Sequence, residues 1–447
     1  MKKARSASTS TSSTSKINRR RFLAATGAAL ATPHIVASRA WGAEKRAAAS
    51  ERITLGVVGW GMQGPSNTDA FLKLPDCQVV AACDVDQNHL QQALDKINGH
   101  YGNKDCQKYH DYREMMARTD IDAVMLAVPD NWHALISTEA ANHKKDIYGE
   151  KPLARTIAEQ QAIVKAVQKN KRIWQTGSWQ RSQGPFRRAA EIVRNGLIGK
   201  VTHVEVGLPA NHTDFAHTGA FMTPSDPPPE LDYNTWIGPA TMEPYIKGRV
   251  HMNWRWNYNI GGGQLLDWIG HHCDIAHWGL DFDNEGPAEV EGQGEFPPRD
   301  AVWNTCTKYR ITCKYPKDIE MTIAGGHSDI KGGAKWIGTE GWVWVDRVGY
   351  DASNVDWFAK IPDDKYKVKL YKSDNHQKNF IDCVKSRKPT ITPVETAHHS
   401  AIPGHLGLIA MLVKRPIKWD ARKEVIVGDP EASRLLSRPY RSPWNLT

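Results

Sequence analysis

Ile53-Thr54-Leu55-Gly56-Val57-Val58-Gly59-Trp60-Gly61-Met62-Gln63-Gly64 is the stretch on which the fold turns. A short, almost continuously apolar run leads into three glycines spaced G-x-G-x-x-G, and helix-compatible sequence follows. Such a run predicts a parallel strand buried on both faces. The spacing gives each glycine its own task at a strand-to-helix turn. Gly59 permits the tight turn, Gly61 lets a backbone approach a pyrophosphate, and Gly64 lets the helix pack closely on the strand. The phosphates would sit on amides at the helix N-terminus, with Met62 and Gln63 in the loop beside them. A glycine-rich turn in an unrelated α/β protein is the competing reading. Asp84 weighs against it: it lies twenty residues after Gly64, at the end of the second strand candidate. An acid there accepts hydrogen bonds from an adenosine ribose and repels a 2′-phosphate, so the pattern predicts NAD rather than NADP.

Outward from this loop, short apolar runs recur at 78–83, 123–128 and 146–148, separated by helical text such as 87–97 and 132–142. Strands alternating with helices of this length indicate βαβ units. Residues 51–177 therefore form a Rossmann NAD(P)-binding domain. After Lys200 the rhythm changes to strand following strand, at 201–206, 308–313 and 319–323. Residues 335–337 and Trp342–Val345 read as a hairpin through Gly338-Thr339-Glu340-Gly341. Helical text returns at 375–385 and 395–413, and the proline-rich 223–230 is a rigid loop. The expected class is α/β followed by α+β: the Rossmann domain, then an open, mostly antiparallel sheet domain over 178–447 with C-terminal helices and tail.

With 447 residues, 40% hydrophobic and 24% charged, the chain has the composition of a globular protein of two domains. No stretch reaches the ~18 unbroken apolar residues of a spanning helix, so a soluble protein with no stable membrane span is expected. The formal charge of +9 invites a nucleic-acid reading. Residues 1–40, however, hold eight basic side chains and no acidic one, and removing those eight leaves +1 for the rest. A nearly neutral body has no electrostatic reason to seek phosphate backbones. The basic segment leads through Asn18-Arg19-Arg20-Arg21-Phe22-Leu23 into a short apolar run and Ser38-Arg39-Ala40. Residues 1–43 resemble a twin-arginine leader, implying export in the folded state to the periplasm; a disordered basic N-terminus is the alternative. Seven scattered cysteines without a CxxC pair form neither a disulfide framework nor a zinc site.

Three later segments carry chemistry. Val128-Pro129-Asp130-Asn131-Trp132-His133 closes the fourth strand candidate, at the carboxyl edge where open α/β sheets bind ligands. Glu150-Lys151-Pro152 follows the next strand at the same edge. Gly261-Gly262-Gly263-Gln264-Leu265-Leu266-Asp267-Trp268-Ile269-Gly270-His271-His272-Cys273-Asp274 reads as a helix with Asp267, His271 and Asp274 on one face. The glycine loop, P-D-x-W-H, E-K-P and D-x-x-x-H, in this order, resemble the Gfo/Idh/MocA (glucose–fructose oxidoreductase/inositol dehydrogenase) family over nearly the whole chain after the leader. The closing text from Asn375 to Trp444 resembles its exported subgroup. The resemblance implies a Rossmann domain beside an open sheet domain, an NAD(P) cofactor, and dimers or tetramers.

Carried over by that resemblance, Lys151, Asp267 and His271 are the catalytic candidates. Removing hydride from a carbinol carbon leaves a hydroxyl proton for a base, and imidazole titrates near the working pH. His271 is the expected base, with Asp267 orienting it or binding a neighbouring hydroxyl. Lys151 would stabilise the developing alkoxide, although a lysine there also serves as an ordinary ion-pair partner. Pro129, Asn131, His133, Glu150 and Lys151 join Gly59, Gly61, Met62, Gln63, Gly64 and Asp84 as expected cofactor contacts. Trp254, Trp256 and Asp274 are expected at the substrate; among seventeen tryptophans, flat rings suit sugars, but most aromatic residues are core. His272 and His277 read as packing residues, and the His271-His272-Asp274-His277 cluster lacks zinc-ligand spacing, so no metal is expected.

The expected activity is NAD-dependent oxidation of a secondary hydroxyl on a sugar, cyclitol or polyol. Two alternatives keep the cofactor through the cycle: an NAD-dependent glycoside hydrolase or lyase, and an internally recycling sugar oxidoreductase. A non-catalytic sugar- or nucleotide-binding protein is the reading from another class.

Overall fold

The computed structural model describes residues 47–446; the leader expected over 1–43 lies outside the described residues. Ala49–Glu51 form a 3-10 turn. From Arg52 onward the chain is built on two sheets.

The first sheet comprises β1 (Ile53–Val58), β2 (Cys77–Cys83), β3 (Gln107–Tyr109), β4 (Ala123–Leu126), β5 (Asp146–Gly149) and β6 (Trp174–Thr176). Their order is β3-β2-β1-β4-β5-β6, with every neighbouring pair parallel. The apolar runs become strands because both faces are covered: Leu55, Val124 and Ile147 are all fully buried. Strand order reverses between β1 and β4, which opens a crevice at their carboxyl ends. The helix Gln87–Tyr101 starts where Asp86 accepts from the Asn88 and His89 amides, and it stops at Gly102 with φ +65°.

The second sheet contains β7 (Val201–Leu208), β8 (Glu289–Glu295), β9 (Lys308–Tyr315), β10 (Ile319–Gly325), β11 (Gly333–Gly338), β12 (Trp342–Val345), β13 (Tyr350–Ala352), β14 (Ile417–Asp420) and β15 (Val425–Ile426). The order is β13-β12-β11-β7-β10-β9-β8-β14-β15, and only the β7–β10 pair is parallel. β11 and β12 are the expected hairpin. Burial along β9 alternates, so one face of this sheet is covered. The cover includes the helices Gly263–Leu280 and Val394–Val413, which share one hydrophobic cluster with the sheet. Trp336 Nε1 of β11 donates to Ala276 O in the first of these helices at 3.1 Å.

The C-terminal text does not all stay with the second sheet. The helix His376–Ser386 sends Phe380, Ile381 and Val384 into the cluster formed by Leu55, Phe71 and Tyr148 beneath β1. Trp444 packs edge-on against Trp132 at 4.8 Å, and Arg438 Nη2 donates to Asn131 O at 2.9 Å. An amphipathic pattern announces a buried helical face but does not say which sheet receives it.

Burial holds several imidazoles well under the ordinary histidine value: His272 and His376 at about 4, His277 and His405 at about 3. The unfolded chain takes up a proton on each below about pH 6.5, whereas the folded chain does not. Stability is therefore lost as pH falls, by about 2 kcal/mol for each such histidine between pH 7 and 5. Asp130, pushed up to about 6 by burial, acts in the opposite sense. Urea titrations at pH 7 and 5 should show the net loss, and His405→Gln should flatten the slope. A pH-independent midpoint would contradict this account.

Candidate active site

The glycine loop leaves β1 and enters the helix Gly64–Leu72. Gly59 has φ +90°, and a Cβ there would stand 2.3 Å from Ala127 O; one on Gly64 would stand 2.1 Å from Gly59 O. At Gly61 a Cβ would meet nothing within 4 Å, because this glycine faces a cleft of about 860 Å³. Packing accounts for Gly59 and Gly64 but not for Gly61, whose open side fits a phosphate group approaching the backbone. No side chain caps the helix at Gln63, so its first amides remain for an anion.

Asp84 lines the same cleft. Its Oδ2 accepts from the Trp60 amide at 2.7 Å and its Oδ1 from the Asp86 amide at 2.9 Å, which ties β2 to the loop. Burial pushes this carboxyl up, while His89 and the two amides pull it down. Met62, Gln63, Pro129, Glu150 and Lys151 also line the cleft. Glu150 accepts from Asn67 Nδ2 at 2.7 Å, and burial raises its pKa.

Asn131 and His133 do not reach the cleft. The turn Asp130–Trp132 and the helix behind it bury both side chains, at 1% and 4% exposure. Asn131 Nδ2 donates to Ile237 O at 2.9 Å. The His133 ring nitrogens lie 2.7 Å from Pro152 O and 3.0 Å from Val128 O. These two residues brace the loops that carry Pro129 and Lys151, and the expectation of direct cofactor contact is corrected accordingly.

Lys151 and the helix Gly263–Leu280 meet across the cleft. Lys151 Nζ donates to Asp267 O and to Asp267 Oδ1, both at 3.0 Å. Arg255 Nε donates to the same Oδ1 at 3.1 Å. Burial works against an ionised Asp267, but Lys151 and Arg255 hold its carboxyl below the usual range. One turn on, His271 packs edge-on against Trp268 at 5.4 Å. Its Nδ1 is buried with no partner among the described residues. Burial, reinforced by Lys151, Arg347 and His272, drives this imidazole far below its ordinary pKa. Asp267 is thus committed to two cations and does not orient His271, as one of the sequence expectations had it.

The helical face stops being a site at the next step. Asp274 is 1% exposed, and both its oxygens are held by Arg181, Nε at 2.7 Å and Nη2 at 2.8 Å. Arg181 continues to Asp283, so Asp274 braces the interior rather than contacting substrate. Trp256 is also core: fully buried, its Nε1 donates to Thr213 O at 2.7 Å and its ring stacks on His212 and Phe215. Trp254 does line the cleft, with Arg255 4.5 Å above its ring.

His272 and His277 are packing residues, bonded to Gly207 O and Tyr315 OH. A trio the sequence reading did not single out, Asp86, His89 and His251, places ligand-type atoms within 4.8 Å of one another beside Asp84. Arg347, Trp179, Trp268 and His376 also line the cleft. Trp268 stands inside the quoted helix segment and His376 at the start of the closing text; Arg347 lies on a turn with no motif around it.

A phosphate-ready glycine loop that shares one cleft with a neutral imidazole and a lysine–carboxylate pair defines a dinucleotide-binding oxidoreductase. The chain belongs to the Gfo/Idh/MocA family: residues 53–178 match its "NAD-binding Rossmann fold" and residues 183–446 its "C-terminal alpha/beta domain". Its first domain is accordingly an NAD-binding domain. The chain is 30% identical over 187 residues to inositol 2-dehydrogenase of Salmonella typhimurium, covering 41% of this chain and 52% of that protein. It is 28% identical over 164 residues to a glycosyl hydrolase family 109 protein of Shewanella woodyi, covering 34% and 33%. The chain thus spans about half or less of the length of these curated relatives. The scyllo-inositol dehydrogenase of Lactobacillus casei, solved with NAD(H) and scyllo-inositol, shares the fold at a TM-score of 0.56 and 16% identity, over 82% of this chain and 99% of that one.

Gly61→Ala should leave the apoprotein's melting temperature unchanged and weaken NAD binding at least tenfold, about 1.4 kcal/mol. Gly64→Ala should lower both, because its Cβ strikes the Gly59 carbonyl. Calorimetric NAD titration beside thermal melts distinguishes the two, and equal destabilisation would refute separate roles.

Proposed function

We propose that the protein transfers hydride between a secondary hydroxyl of a sugar, cyclitol or polyol and NAD held on the glycine loop. The observation that carries this reading is His271, kept neutral by burial and placed one helical turn from the Lys151–Asp267 pair. Bound NAD supplies the hydride acceptor, and the side chains handle the proton and the charge. With Nδ1 closed off inside the protein, Nε2 is the nitrogen of His271 that accepts the hydroxyl proton. Lys151 uses two contacts on Asp267 and keeps a third N–H donor for the substrate oxygen as negative charge develops there. Asp267 and Arg255 fix where that ammonium stands. We infer a Rossmann domain over 51–177 that holds the cofactor and a domain over 178–447 that contributes most of the substrate contacts, with Lys151 reaching across from the first.

A second reading keeps the cofactor bound throughout: transient oxidation of a glycoside, elimination or hydrolysis, and re-reduction. The Shewanella relative's name favours it, as does the twin-arginine-like leader, since free NADH is not readily recycled outside the cytoplasm. An internally recycling sugar oxidoreductase follows the same logic. We infer a periplasmic location and a homodimer or homotetramer on the resemblance already described.

Purified without added nucleotide, the protein should release NAD(H) on denaturation under the retained-cofactor reading, and should form products with no net NADH. An empty protein that accumulates NADH from added NAD supports the simple dehydrogenase. Lys151→Met, Asp267→Asn and His271→Asn should each lower kcat by about 10²- to 10³-fold with NAD affinity retained. Because His271 is neutral, kcat/KM should stay flat from pH 8 to below about 6.5 and fall only in more acid solution. Full turnover in all three variants would overturn the site assignment.

A further inference from the structure

Three cations, Lys151, Arg255 and Arg347, line the substrate end of the cleft. Lys151 and Arg255 share a single carboxylate, Asp267. A third cation, Arg347, stands on the turn between β12 and β13, which Asp346 fixes by accepting from the Val348 and Gly349 amides at 2.7 and 2.9 Å. Its guanidinium lies over two indoles of the cleft wall, Trp179 at 4.6 Å and Trp268 at 4.4 Å. The hydrogen bond it makes goes to neutral Gln180 Oε1, at 3.4 Å. No carboxylate stands within ion-pair distance of it among the described residues. Of the acids beside Lys151, Glu150 accepts from Asn67 and Asp130 is 2% exposed; burial raises the pKa of both carboxyls.

Stacking holds a guanidinium by its faces and leaves its edge of N–H donors free. That edge matches a planar or tetrahedral oxyanion better than a hydroxyl, because two parallel charge-assisted hydrogen bonds form at once. Trp268 contacts both Arg347, at 4.4 Å, and His271, at 5.4 Å, so the cation and the proposed base share one aromatic neighbour in the cleft wall. Seen from sequence, Arg347 sits in an ordinary β-turn; only the fold brings it to the cleft.

We propose that Arg347 binds an oxyanion on the substrate, so that the natural substrate is an acidic sugar whose reacting hydroxyl meets Lys151 and His271 while its carboxylate or sulfate ester sits on Arg347. The proposal rests on the reading of the site given above and names its substrate class. Asp267 already occupies Arg255 and Lys151, which leaves Arg347 as the cation that selects.

The test is calorimetric titration of the NAD-loaded full-length protein with matched sugars in gluco, galacto and manno series: the neutral hexose, its uronate and its 6-sulfate. In at least one series an anionic member should bind about 10- to 100-fold tighter than the neutral one. Arg347→Gln should abolish that gain, read as the ratio of anionic to neutral affinity, with NAD affinity unchanged, and Arg347→Lys should retain part of it. A preference for uronate assigns a carboxylate substrate, and one for the 6-sulfate assigns a sulfated one. Equal or weaker binding of every anionic member, or a preference that survives Arg347→Gln, overturns the proposal. Binding preference is read without turnover, so Arg347-dependent selectivity in a protein with no hydride transfer would refute the reaction and leave the anion site standing.

Discussion

Asp267 is the charge on which the cleft depends. It projects from the buried helix of the second domain and receives Lys151 from the loop after β5 of the first, and Arg255 from the segment just before its own helix. A carboxylate in a protein interior survives ionised only when paired and hydrogen-bonded. Here two cations provide that pairing, and each is fixed by it. The consequence is mutual: Lys151 has a defined position because Asp267 is charged, and Asp267 is charged because Lys151 and Arg255 are present. Loss of the carboxylate would leave two cations facing one another, so the pair ties the loop after β5 to the helix Gly263–Leu280 as well as fixing where Lys151 stands.

His271 follows from the same arrangement. Its helix, Gly263–Leu280, is buried along nearly its whole length, so an imidazole on it is desolvated whichever way it turns. Neighbouring cations act in the same direction as burial and keep it deprotonated. A base of this kind needs no carboxylate behind it; solvent exclusion and positive neighbours set its protonation state. The contrast with Asp274, one further turn along, is instructive. That acid faces Arg181 and Asp283 in the interior and serves to anchor the helix, although the three residues share a helical face in sequence.

Much of the fold was legible because its signals are periodic and local. The apolar run of 53–58, the glycine spacing and the hairpin glycines 338–341 each prescribe a backbone path with little help from the rest of the chain. From the motifs, the structure brings Lys151, Asp267 and His271 together in one cleft. The site was not legible where tertiary packing decides. Asn131 and His133 lie inside a motif yet point into the protein, where backbone carbonyls satisfy them. Trp254 and Trp256 are two residues apart, and only the first reaches the cleft, because the 3-10 turn His251–Trp256 carries the second against His212 and Phe215. Arg347 and the return of the His376–Ser386 helix to the first sheet are long-range facts, since nothing within their own stretches names the partner.

The cleft has an electrostatic direction. At one end Asp84, engaged with loop amides, stands beside His89 and His251. In the middle lie the open side of Gly61 and the helix Gly64–Leu72, whose N-terminus no side chain caps. At the other end Lys151 and Arg255 pair with Asp267, and Arg347 lies over the neighbouring Trp268. Oxidation of a hydroxyl builds negative charge on oxygen before the proton has fully left, and fixed cations in a water-poor pocket stabilise that charge far better than solvent does. The same positive field attracts a permanently anionic ring substituent. On the proposal above, Arg347, held on two indoles and in no ion pair among the described residues, binds that substituent while Lys151 serves the reacting oxygen. On that proposal selection and chemistry are divided between two cations, and Trp268, which contacts both Arg347 and His271, links the two sides of the pocket.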